Sequence, residues 1–95
     1  MNAARNTAVL DAACTIAHEE GVAKVTRMRV ADAAGVSLGS VSAAFGGMPE
    51  LHEAVMREAV RRPLLSVLAQ GLAMGDAIAR DAPDDLKRQA VESAL

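Results

Sequence analysis

Lys24, Arg27 and Arg29 lie within the six-residue stretch "KVTRMR", and no acid occurs between Gly21 and Ala31. Cations this close together form a local anion-binding surface. They do so in a 95-residue chain whose formal net charge is −2, so no global field draws it to nucleic acid. Further on, residues 37–45 read "SLGSVSAAF". Val41 and Phe45 are one helical turn apart and can face inward together. Leu38, Gly39, Ser40, Ser42 and Ala43 then face outward, small enough for a helix to lie close in a DNA major groove. Ser37 caps that helix, whose unpaired N–H groups suit a phosphate. Lys24, Arg27, Arg29 and the Ser37 end are the candidate phosphate contacts, and Leu38, Gly39, Ser40 and Ala43 the candidate base-facing residues. Thr26 and Ser42 complete the candidate DNA-binding set.

Other chemistry finds less support. Cys14 and His18 are four apart on one helix face, a metal-binding spacing, but no third ligand is near. A core cysteine and a surface histidine account for them. Asp84 and Asp85 fit a helix N-terminus, where the macrodipole favours negative charge. Ser37, Ser40 and Ser42 have no His or Lys at an activating distance. Gly46-Gly47 lacks the lysine of a phosphate-binding loop. No catalytic set, metal or cofactor is expected.

Composition sets the class. Alanine supplies much of the 52% apolar content, and there is one Phe with no Trp or Tyr. Alanine is the best helix former, so an all-α chain of one domain's length is expected. Cys14 is the only cysteine, so no internal disulfide can form and a reducing, cytoplasmic setting is expected. No apolar run reaches the roughly 20 residues of a membrane span. The first residues lack the apolar stretch of a signal peptide.

Helical periodicity then places the elements. Residues 6–20 carry Val9, Leu10, Ala13, Ile16 and Ala17 on one face, with Asn6 or Thr7 as cap and Gly21 after the last turn. Thr26 caps a second helix with Met28, Val30, Ala31 and Ala34 as its apolar face, stopped by Gly35. Ser37 caps the third, which ends near Phe45. The fourth starts at Met48-Pro49 and runs through Leu51, Val55, Met56, Ala59 and Val60 to Arg62. Pro63 either starts a fifth helix or kinks the fourth. Leu64, Leu65, Leu68, Leu72 and Ile78 form a further apolar stripe. A last helix begins near Pro83, with Leu86, Ala90, Val91 and Leu95.

Between the second and third helices, "AGVS" has the makings of a helix-turn-helix. Two helices crossing steeply need a turn of about three to four residues, often with Gly. Gly35 supplies the positive φ, Val36 plugs the core beside it, and Ser37 caps the incoming helix. Residues 8–55 resemble the N-terminal DNA-binding domain of TetR-family repressors. Val9, Leu10, Asp11, Ala12, Ala13, Ile16, Glu19 and Gly21 match the family's first helix. Val30, Ala31, Ala34, Gly35, Val36 and Ser37 match its I-A-x-x-A-G-V-S segment. Gly39, Ser40, Val41 and Phe45 match part of G-T-L-Y-x-x-F, and Leu51 fits the start of the fourth helix. Ser42 stands where the family usually has a DNA-contacting tyrosine, Met48 where it has a phosphate-binding lysine, and Ala17 at a core aromatic. "VTRMRVADAAGVSLGSVS" is also similar to the LacI-type turn pattern. Either resemblance implies a helix-turn-helix that binds DNA.

The expected organisation is a helix-turn-helix domain over residues 1–62, built as a three-helix core with a fourth helix. A short helical tail for dimerisation is expected over residues 63–95. TetR-family proteins carry a large ligand-binding domain in this place. Two helices cannot enclose a cavity of several hundred Å3, on the order of a small-molecule site, so no effector is expected. Gly71, Gly75 and Ala79 repeat every four residues beside Leu64, Leu68 and Leu72. Small residues at that period let helices approach closely; alternatively the glycines form a turn. Leu64, Leu68, Gly71, Leu72, Gly75 and Ile78 are the candidate dimer contacts. The whole suggests a homodimeric repressor on a palindromic operator, with residues 37–45 in the major groove. The alternative is a protein-interaction module that keeps the fold with little or no DNA binding. Whether Lys24, Arg27 and Arg29 share the face of the 37–45 helix, or acids such as Asp32 dominate it, separates the two.

Overall fold

A computed structural model describes residues 3–95. All regular structure among them is helical: α1 (Ala3–Glu20), a 3-10 turn (Val22–Lys24), α2 (Arg27–Ala34), α3 (Leu38–Phe45), α4 (Met48–Arg61), α5 (Leu65–Met74), α6 (Ala77–Arg80) and α7 (Asp84–Ala94). The chain divides into two compact units, Met1–Val55 and Met56–Leu95. The sequence pattern puts its boundary after residue 62, just past the end of α4; the units divide part-way along α4.

In the first unit α1 packs on the 3-10 turn, α2 and α3. Its core is made of small aliphatic side chains: Val9, Ala13, Ile16, Ala17, Val22, Val25, Val30, Ala31, Val41, Leu51 and Val55 are all buried. Cys14 is buried with them and His18 is exposed. Asn6 and Thr7 do not cap α1. The helix already includes Ala3, because two alanines ahead of them favour helix. Met28 is not a core residue either, being 64% exposed. It lies two residues, about 200° of helical rotation, from the buried Val30. Val22 and Val25 join the core through a short turn that has no helical period to betray it.

The corner between α2 and α3 arises from local chemistry. Thr26 caps α2, its hydroxyl accepting from Arg29 N at 3.2 Å. Gly35 ends α2 in the left-handed region, φ 70° and ψ 36°. Its N–H donates to Asp32 O and the Val36 N–H to Ala31 O, the paired bonds of a glycine-terminated helix. Ser37 then caps α3, accepting from Ser40 N at 3.1 Å.

In the second unit α5 packs on α7 and α6. Val67, Leu68, Gly71, Ala79 and Ala90 are buried. Pro63 starts no helix; it lies between the end of α4 and the start of α5. Gly75 closes α5 with the same pair of bonds as Gly35, and Asp76 caps α6. The turn alternative therefore holds for Gly75, and Ile78 belongs to α6. Gly71 serves close packing inside the unit: a Cβ there would lie 2.6 Å from Met56 Cε and 2.9 Å from Ala79 Cβ. Asp84 and Asp85 occupy the first turn of α7, where they complement its dipole.

Two glycine substitutions separate conformation from packing. A Cβ on Gly35 meets nothing within 4 Å, so Gly35→Ala should lose only the left-handed preference, about 1 kcal/mol, lowering Tm by roughly 4–8 °C. Gly39→Ala, in a helix where the added Cβ meets only Ser37 Oγ at an ordinary 3.8 Å, should stabilise by about 0.5 kcal/mol. Thermal unfolding followed by circular dichroism measures both.

Candidate nucleic-acid interface

The first turns of three helices meet at one open concavity of about 400 Å3, lined by Thr26, Arg27, Met28, Leu38 and Met48. Thr26, Arg27 and Met28 open α2, Leu38 is the first residue of α3, and Met48 the first of α4. Helix N-termini carry partial positive charge, and none of the five lining residues is acidic. The α4 terminus already has an internal partner, since Gly47 N donates to Glu50 Oε1 at 3.0 Å. Leu38 is 49% exposed, and Met28 more so.

Of the three expected cations, only Arg27 has a bond to α3: its Nη1 donates to Ser42 Oγ at 3.2 Å. Arg29 turns instead to the end of α1. Its Nη1 donates to Glu20 Oε1 at 2.9 Å and its Nη2 to Glu20 Oε2. This fork lowers the pKa of Glu20 from its ordinary carboxylate value, chiefly through the Arg29 hydrogen bonds, and raises that of Arg29. Lys24 is exposed on the 3-10 turn and adds a weaker attraction on Glu20. Sequence reasoning misses Glu20 because its pairing is tertiary, nine residues away. The only available hint is its place just before Gly21, beside the basic stretch.

The remaining candidates sort by what their side chains already do. Thr26 and Ser37 serve as caps. Ser40 Oγ lies 3.0 Å from Ser37 Oγ, so its hydroxyl joins the α3 cap. Gly39 and Ala43 are exposed on α3, and Val41 turns inward. Phe45 is half-buried. Acids (Asp11, Glu19, Glu20, Asp32, Glu50, Glu53) outnumber bases (Arg5, Lys24, Arg27, Arg29) in the unit Met1–Val55. In the second unit Leu68 and Gly71 are buried, Leu64, Leu72 and Ile78 half-buried, and Gly75 exposed at the end of α5.

A family model described as bacterial regulatory proteins, tetR family, matches residues 9–55. Residues 9–55 are a TetR-family helix-turn-helix domain. No curated protein and no solved structure was found to match the chain. The TetR match ends where the first compact unit ends, so the family's DNA-binding element and the α1–α3 core coincide. It covers the turn segment that also resembles the LacI-type pattern. Among TetR-type domains this one places Ser42, bonded to Arg27, at the usual tyrosine, and Met48, in the concavity, at the usual lysine. The family is one of transcription regulators rather than enzymes. No described helix is long and apolar enough to cross a membrane.

The Glu20–Arg29 pair makes a pH prediction. Because the folded-state pKa of Glu20 is depressed, the pair's contribution is fully present above the ordinary value of 4.5 and fades as pH falls through the lowered one. Glu58, held chiefly by Arg61 and also by Arg62, behaves alike. Thermal unfolding of Glu20→Gln should therefore show a shallower loss of Tm below about pH 4.5 than the native chain, while differing little near neutrality.

Proposed function

We propose that this chain is a homodimeric transcriptional repressor. It would hold two copies of α3 in successive major grooves of a palindromic operator, roughly 34 Å apart. The observation that carries this reading is the acid-free concavity at the first turns of α2, α3 and α4. It offers local positive potential on a chain of net charge −2. Beside it, α3 turns outward only small or apolar groups, so its backbone can approach base edges. Lys24 and the α3 N-terminus supply phosphate contacts. Arg29 joins them when a phosphate displaces Glu20, an exchange between two anions of the same guanidinium.

Pairing of two chains is assigned to the second unit. Leu64, Leu72 and Ile78 are only half-buried there, and Met74 and Val91 are 59% and 51% exposed. Apolar groups left in this state favour covering by a second copy. Two half-sites also multiply a modest direct readout, since one tethered domain raises the effective concentration of the other. Repression needs no more than occupancy of the operator.

A second reading, an interaction module with little DNA binding, is favoured by the excess of acids in the first unit and the Glu20–Arg29 pair. Selection from random duplex DNA at low and near-physiological salt distinguishes them. The repressor reading expects a palindromic motif that persists at the higher salt; motif-free binding that vanishes there would leave the module. Lys24→Ala should weaken binding to all duplexes alike and lower the slope of log K against log salt by about one. Sedimentation should give twice the chain mass, and Leu72→Asp should shift it towards monomer.

A further inference from the structure

We infer that the concavity formed by Arg27, Met28, Leu38 and Met48 reads two neighbouring base pairs, a thymine by its C5 methyl and a guanine by its N7 and O6. This deepens, and rests on, the DNA-binding reading above. The starting point is what α3 lacks. It carries no Arg, Asn or Gln, the side chains that make bidentate contacts to purines. Arg27 supplies one from outside the helix. Its Nη1 donates to Ser42 Oγ at 3.2 Å, which holds the guanidinium against the flank of α3. The opposite edge, Nε and Nη2, makes no bond among the described residues. Those two parallel donors match the N7 and O6 acceptors of guanine. A guanidinium with only phosphate to meet would gain nothing from being fixed beside the middle of α3.

The second half of the site is apolar. Met28 and Leu38 are 64% and 49% exposed, and they line the same concavity as Arg27. The C5 methyl of thymine is the apolar feature of the major groove, and one concavity can serve two targets only if they are adjacent. Ser42 has a positioning role, acting through Arg27.

The test uses the full chain and the duplex it enriches from a random pool. Uracil in place of thymine removes only the methyl, and 7-deazaguanine removes only N7. Uracil should weaken binding about fourfold and 7-deazaguanine about tenfold. Met28→Ala or Leu38→Ala should erase the uracil penalty and keep the other, and Arg27→Ala should do the reverse. Ser42→Ala should shrink only the 7-deazaguanine penalty, with an unchanged melting curve. An enriched half-site without adjacent thymine and guanine would overturn the inference while leaving DNA binding intact. So would penalties that persist in the matching variants, which would make Arg27 a phosphate ligand. Loss of the dimer in Met28→Ala with the uracil penalty unchanged would make the concavity a contact between copies and also overturn it. A protein that enriches no duplex fails the DNA-binding reading itself.

Discussion

The left-handed turn at Gly35 is the constraint on which the interface depends. Its positive φ lets the Gly35 and Val36 N–H groups return to Asp32 and Ala31. The chain then leaves α2 in the one direction that lets Ser37 cap a new helix. That sets the relation between the first turns of α2 and α3, and so the shape of the concavity. It also sets the reach of Arg27 to Ser42. The core beneath only has to hold this corner, and short side chains such as Val30, Ala31 and Val41 suffice.

Charge is managed locally. A chain with more acids than bases relies on where each charge sits. Glu20 neutralises Arg29 at the end of α1 and Glu50 answers the N-terminus of α4. The concavity itself holds no carboxylate. Glu20 thus offsets one cation of the basic stretch, Arg29, from outside the concavity. The protein keeps cationic groups that another anion can reach by exchange.

The α2–α3 corner is legible in the sequence because its residues have narrow chemistry. Thr26, Gly35 and Ser37 each do one thing well, and they occur at the spacing a helix-turn-helix needs. The TetR-type pattern of residues 8–55 is legible for the same reason. The start of α1 is not, since Asn6 and Thr7 are good caps that two upstream alanines outbid. Residue type places Met28 in the core, where helical angle puts it outside. The partners of Arg27 and Arg29 lie 15 and nine residues away, and no local pattern encodes them. Gly71 and Gly75 share a spacing and yet do different things. One admits Met56 and Ala79 closely, and the other ends a helix.

The division of α3 between one inward residue and its outward face has a consequence for how such a protein can change. Val41 is buried, while Leu38, Gly39 and Ala43 are exposed. Substitutions at those three positions do not touch the core, and a Cβ at Gly39 meets the capping Ser37 Oγ only at an ordinary 3.8 Å. That face can therefore change in sequence with little effect on folding. The corner acts as a fixed chassis that carries an interchangeable outer surface.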